Sequence, residues 1–308
     1  MTPFCLSLSL ISPMESMNDK GTAASMPETV YRPNIRYEIG FFRTIALMAA
    51  NVVHARHFVW QMFKRNFLAS YKKSLLGLAW LIFAPLVGVA SWLFLKWAGV
   101  LKPGAIEGEM PYAVYVLLGS SMWGLFMGFY NASAETLQAG REFIMQVNYP
   151  RETVMFAQTA QHVANFIVAF ALNLILLAVF GIAPSWKIVL LPLVVLPMLL
   201  FGSGIGLVIS MFSVVSNDFK RMADILLALA MWLVPIVYSS TIDVPWLRTV
   251  NDWNPLTHLV CSARDIVLYG RLYDPAGFAW ASALAIVVYL FAGRLFFLAE
   301  DKIVERNI

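Results

Sequence analysis

Charge is what this 308-residue chain has least of. Asp, Glu, Lys and Arg together make up 13% of it, against 60% hydrophobic residues. Soluble domains run at about 25% charged and 45–50% apolar. A water-soluble fold of this length has no interior large enough for such an apolar load, and the mean hydropathy of +0.71 points to the bilayer as solvent. Cysteine is scarce too. Cys5 and Cys261 lie far apart in unlike contexts, which excludes a disulfide framework or a Cys-rich metal centre. The four histidines, His54, His57, His162 and His258, share no metal-ligand spacing with each other or with cysteine. There is no G-x-x-x-x-G-K-[ST] loop, so the chain is not expected to bind ATP itself. GSGIG at 202–206 lies inside an apolar run and no lysine follows it. It reads as small residues that let helices approach closely, and Gly124 and Gly128 repeat that spacing. The apolar runs also lack a central Asp or Glu. A charge at a helix centre costs about 2.5–3.5 kcal/mol on insertion scales, so ion-driven carriers keep such residues for use. Their absence argues against ion coupling. Energy for any transport is expected to enter through the cytoplasmic surface.

What is present is a set of six apolar runs able to cross a bilayer, at 75–100, 112–130, 154–180, 188–215, 225–238 and 278–298. The fifth reaches the required ~20 residues only by starting near Met222. With the N-terminus inside, six of the 22 Lys and Arg fall outside: Lys96, Lys102, Lys187, Arg248, Arg264 and Arg271. The other 16 lie on the cytoplasmic side, so the positive-inside bias recurs in every inner loop and places both termini in the cytoplasm. Lys96 and Arg294 sit near span ends, where their side chains can reach the interface. Residues 1–53 read as a cytoplasmic extension, partly disordered. Its apolar start is too short to span and lacks a basic flank, and Met14, Met17 and Met26 offer later start points. Residues 54–308 form the transmembrane domain. Between the fifth and sixth runs, Asn254 can cap a helix with Pro255 at its first position. Leu256, Leu259, Val260, Ala263, Ile266 and Val267 recur there at helical spacing, opposite Ser262, Arg264 and Asp265. This predicts an amphipathic re-entrant or interfacial helix on the outer side. The fold class is therefore an all-α polytopic membrane protein with six transmembrane helices.

The stretch before the first run is amphipathic. Val59, Trp60, Phe63, Phe67 and Tyr71 form one helical face, and His57, Gln61, Lys64, Arg65 and Lys72 another. Such a helix lies in the inner interface. Each cation near an anionic surface is worth about 1 kcal/mol, so Lys64, Arg65, Lys72 and Lys73 together could attract an anionic lipid head group. Among the span aromatics, Trp80, Tyr115, Trp123 and Phe126 are candidates to line a channel.

Arg65, Tyr71, Ser74, Gly77, Trp80 and Pro85 form a pattern that resembles the approach to the first span in type 2 ABC exporter permeases, especially those exporting O-antigen, capsule or teichoic-acid polysaccharides. QVNYPRE, SVVSNDFKRMADILLALAMWLVPIVY, WNPLTHLVCSARDIVLYG and AEDKIVERNI resemble the same family's second inner segment, fifth span, outer loop and C-terminus, in order. The resemblance covers about 55–308. One departure is Asn217, where the family often has Arg before the position of Asp218. The resemblance implies a homodimer in the bacterial inner membrane, joined to two ATP-binding-cassette subunits that bind ATP and Mg, so the chain has no cofactor of its own. It implies a lipid-linked polysaccharide as substrate and coupling to the ATPases near 138–152, with Arg141, Glu142, Tyr149, Pro150 and Arg151 as contact candidates. No nucleic-acid partner is implied. Beside it stand an exporter of drugs or lipids and, in another class, a membrane-bound glycosyltransferase or acyltransferase. The latter needs a carboxylate or histidine site that the sequence does not display.

Overall fold

The computed structural model describes residues 40–72, 75–106, 110–137, 151–240 and 244–305. Among these the regular elements are helices: α1 (Phe41–His54), α2 (Arg56–Lys72), α3 (Trp80–Trp97), α4 (Tyr112–Ala134), α5 (Arg151–Val179), α6 (Leu191–Ser213), α7 (Asn217–Ala230), α8 (Pro245–Trp253), α9 (Pro255–Leu268) and α10 (Pro275–Glu305). Five of them, with their flanking turns, are long and apolar enough to cross a membrane: Gly77–Trp97, Tyr112–Ala134, Thr153–Val179, Trp186–Ser213 and Pro275–Ala299.

α4 and α6 form the centre of the bundle, flanked by α5 on one side and α10 on the other. In a bilayer no hydrophobic gain separates a buried helix from one in lipid, so close backbone packing has to hold the centre together. Glycines supply it. Gly202 lies against the backbone of Phe126, Gly206 against Tyr130 and Ser133, and Gly204 against Val288 and Tyr289. The expectation for GSGIG therefore holds, since a side chain at any of the three would push α6 off its neighbours. Gly128 similarly makes room for the ring of His162 on α5.

Short polar caps start several elements. Asn254 Oδ1 accepts from the Leu256 amide at 3.0 Å ahead of Pro255, as the sequence predicts. Ser216 Oγ accepts from the Asp218 amide at 3.2 Å, and Asp274 accepts from the Ala276 and Gly277 amides at 3.1 and 3.0 Å.

Three elements depart from expectation. First, the fifth run is not one continuous helix. α7 is followed by a 3-10 turn at Met231–Leu233 and then by non-helical backbone through Ser239. Second, α9, expected as an amphipathic re-entrant or interfacial helix, has no exposed polar face. Every residue from Leu256 to Leu268 is buried, including Arg264 and Asp265, and the helix packs on α6, α10 and α4. Arg264 and Asp265 pair with each other there rather than with water. Third, α1 crosses the boundary expected at residue 53. Thr44 is buried, Met48 packs on a small core of Leu137, Met155, Leu207, Ala292 and Phe296, and Arg294 of α10 donates to Thr44. Residues 1–39 lie outside the described residues.

The path of the fifth segment is set by its contacts with α4. Near its start, Lys220 and Asp224 meet Asn131, Glu135 and Tyr130 at the end of α4. At its finish, Val237 and Tyr238 meet Tyr112 and Tyr115 at the beginning of α4. The segment thus runs antiparallel along the full length of a 23-residue helix, about 34 Å.

Candidate functional site

α3 stands apart from the bundle. Pro85 inside it lacks an amide donor, and Val89 is its only buried residue. Behind it, between α3, α4 and α5, opens a cleft of about 450 Å³ that Met231 also lines. Trp80, Trp92 and Phe166 supply aromatic walls, and Ser120, Ser121, His162 and Asn165 supply polar groups. Gly88 and Gly124 face it from opposite helices, and a methyl group at either would touch nothing. Asn173 Nδ2 donates to Ser121 Oγ at 2.9 Å, bridging α5 to α4, and Ser121 Oγ donates in turn to the Leu117 carbonyl at 2.7 Å. Trp92 meets Trp232 edge-on at 5.4 Å, which ties α3 to the 3-10 turn. Among the described residues, no carboxylate, ammonium or guanidinium lines the cleft. Such a lining offers neutral hydrogen bonds beside aromatic faces, which suits hydroxyl-bearing or amphipathic groups and not ions.

The four expected channel aromatics separate here. Trp80 lines the cleft. Tyr115, Trp123 and Phe126 do not, because all three are buried in the core. Trp123 and Phe126 pack on each other at 5.2 Å. Tyr115 has a different task, which its sequence context could not disclose. Its hydroxyl lies 3.2 Å from the Pro235 carbonyl and 3.1 Å from the Tyr238 carbonyl. Tyr112 OH donates to the Val237 carbonyl at 2.8 Å, and Asn254 Nδ2 donates to the Leu233 carbonyl at 3.2 Å. Arg264 Nη1 also donates to Pro235 at 2.8 Å, its Nε donates to Asp265 Oδ1 at 2.8 Å, and its guanidinium lies 4.0 Å from the Tyr115 ring centre. Non-helical backbone within a membrane bundle needs partners for its freed carbonyls. Here four side chains provide them.

α2 presents the expected aromatic row. Trp60 stacks on Phe63 at 5.4 Å, and Phe63 lies 5.7 Å from Phe67. Docking on α5, however, uses the neighbouring stripe of Phe58, Val59 and Met62 against Val154 and Ala157. Lys64 and Arg65 are exposed. Lys64 Nζ sits 5.0 Å over the Trp60 ring, and Arg65 Nη2 donates to Asn66 Oδ1 at 3.4 Å. Lys72 ends α2; its side chain and Lys73 lie outside the described residues. So do Arg141, Glu142, Tyr149 and Pro150, while Arg151 opens α5. On the other side of the membrane plane, Lys96 Nζ rests 4.8 Å over the ring of Tyr112, a span-end cation covering an aromatic face.

Residues 57–268 match a family described as ABC-2 type transporter. The chain is also similar to proteins named O-antigen export system permease protein RfbA. The one from Myxococcus xanthus is 24% identical over 245 residues, 79% of this chain and 92% of the relative. One from Klebsiella pneumoniae is 21% identical over 243 residues, 77% of this chain and 85% of the relative.

Proposed function

We propose that this chain, which belongs to the ABC-2 type transporter family, is the permease subunit of an ATP-driven exporter that moves a lipid-linked polysaccharide of the O-antigen or capsule kind out of the cytoplasm. It is a multi-pass membrane permease; the substrate, the stoichiometry and the path are the proposal. The observation that carries the polymer reading is the cleft between α3, α4 and α5, whose neutral polar and aromatic lining suits sugar rings and lacks the fixed charge an ion would need. The relatives named O-antigen export permeases support the same substrate class.

In this reading two copies of the chain assemble with two ATPase subunits, which bind ATP and Mg and push on residues 138–152 from the cytoplasm. Arg141, Glu142, Tyr149, Pro150 and Arg151 take up that push. Both termini are cytoplasmic and the chain crosses six times. The antiparallel run of 217–239 along α4 supports the sixth crossing, because a segment reaching from one end of a spanning helix to the other is a crossing even when broken. Lys64, Arg65, Lys72 and Lys73 gather the pyrophosphate of the lipid carrier at the inner surface, next to the aromatic row that anchors α2. The test is reconstitution of the chain with its ATPase subunit in inverted vesicles loaded with lipid-linked glycan extracted from the producing cells. ATP should drive the glycan to the far side. A complex that hydrolyses ATP and moves no glycan would overturn the substrate assignment.

A further inference from the structure

The end of α4 and the start of α7 meet in a compact polar cluster. Lys220 Nζ lies 3.0 Å from Asp224 Oδ2, 3.4 Å from Glu135 Oε1 and 3.4 Å from Asn131 Oδ1. Tyr130 OH donates to Asp224 Oδ1, the second oxygen of that carboxylate, at 2.9 Å. The lysine side chain is 19% exposed and holds one positive charge between two carboxylates.

This cluster matters because the apolar packing of α7 is limited to the partly buried Leu227 and Ala230 on the core and to Phe219 against Phe212 of α6. None of its residues is buried, and Met222, Ile225, Leu226 and Leu229 all point away from the bundle. It follows α6 through the tight turn at 214–216 and reaches α4 through polar side chains. α4, by contrast, is fixed. Gly202 and Gly206 hold it against α6 at backbone distance, so α4 cannot slide on α6 without a clash. Glu135 stands at the last turn of α4, two residues before the described chain stops at Leu137. Glu135 thus stands close to the point where the chain leaves α4 for 138–150, and Lys220 joins it to α7.

We propose that Lys220 is a positioning residue for transport. It couples the segment that receives the ATPase's motion to the broken fifth helix, whose far end carries Trp232 against Trp92 on the wall of the cleft. This rests on the reading that a separate ATPase acts on 138–152. Without the ammonium, Glu135 and Asp224 are left as like charges on either side of the joint, and α7 loses its ionic link to α4 while the Tyr130–Asp224 hydrogen bond, its helix and its tether to α6 persist.

The experiment compares wild type, Lys220→Met, Lys220→Arg and the neutral triple variant Lys220→Met with Glu135→Gln and Asp224→Asn. Each is purified with its ATPase subunit and reconstituted with lipid-linked glycan from the producing cells. ATP hydrolysis and glycan export are read in the same vesicles. Lys220→Met should assemble and hydrolyse ATP within about two-fold of wild type, while glycan exported per ATP falls about five-fold or more. Lys220→Arg keeps charge and donors and should export at a ratio close to wild type. The triple variant removes the repulsion but not the loss of the link, so its ratio should stay low. An unchanged ratio in Lys220→Met overturns the proposal, and so does a parallel fall of assembly, hydrolysis and export, which marks a purely structural lysine. If wild type itself exports nothing, the functional reading fails and the proposal falls with it. If wild type exports and the Met variant matches it, only the proposal fails.

Discussion

Arg264 is 3% exposed in a helix buried on every side, a place from which a lone guanidinium would be expelled. It stays because Asp265, the Pro235 carbonyl and the Tyr115 ring each take one of its faces or donors. Breaking a buried pair by removing one partner costs about 3–5 kcal/mol, mostly from the charge left behind, whereas replacing both with apolar groups is often near neutral. Arg264→Met should therefore lower the unfolding temperature of the purified chain in detergent sharply. Adding Asp265→Leu should restore part of the loss, since Tyr115 still serves the Pro235 carbonyl. Equal melting of the single and double variants would show that the pair is not the source of the stability. At this scale the sequence was only partly legible. Helical spacing put Ser262, Arg264 and Asp265 on one polar stripe, which read as a face turned to the interface. Spacing records polarity but not partners, so it could not reveal that Arg264, Asp265 and Tyr115 satisfy one another inside the bundle. For the same reason the place of Tyr115 in a span did not disclose that its hydroxyl lies beside the Pro235 and Tyr238 carbonyls.

The elements were easier to read where hydropathy alone decides them. Five apolar runs became spanning helices close to their expected limits, and the Asn254–Pro255 start of α9 followed from cap chemistry. The fifth run did not become a helix throughout, because its end is a different structure. Val234, Ile236 and Val237 are β-branched and suit extended backbone, and Pro235 gives no amide donor to a helix. Neither property breaks a span unless partners wait for the released carbonyls, and those come from α4 and α9, more than 15 residues away in sequence on either side. Gly119 adds the room, for a side chain there would press on Ile236. Tyr112→Phe combined with Tyr115→Phe should therefore leave the Val237 and Tyr238 carbonyls without their donors. A buried group left unsatisfied costs about 1–3 kcal/mol, so the double variant should lose several kcal/mol in denaturant titration of the detergent-solubilised protein. Its amides at 234 and 236–239 should exchange hydrogen faster than those of α6. Unchanged exchange there would mean that the non-helical segment is held by its packing and not by the tyrosines.

For the whole molecule the decisive quantity is the parity of crossings. Five long helices alone would put the two termini on opposite sides, whereas a sixth crossing at 217–239 returns the C-terminus to the side of the N-terminus. The count of charges does not decide the parity, since a turn-back at 217–239 would exchange Arg248, Arg264 and Arg271 for Arg294, Lys302 and Arg306 and still leave 16 of the 22 Lys and Arg on one side. Contacts at both ends of α4 favour the even count. Ser239 N donates to the Pro103 carbonyl at 2.6 Å and Ser185 N to the Val267 carbonyl at 2.9 Å, which gathers the connections before α4, after α5 and around α9 at one end of the bundle. Lys220 and Glu135 meet at the other end. The two ends can be told apart chemically. Cys261 is fully buried, and Cys5→Ser removes the other native thiol. In that background, cysteines at Gln146 and Thr249 report on the segment after α4 and on α8, respectively. An impermeant thiol reagent should label the Thr249 site in intact spheroplasts and the Gln146 site only in inverted vesicles. Labelling of both from the same face would make 217–239 a segment that enters and leaves by one side. The chain would then cross five times, its termini would lie apart, and Arg248, Arg264 and Arg271 would join the cytoplasmic charges.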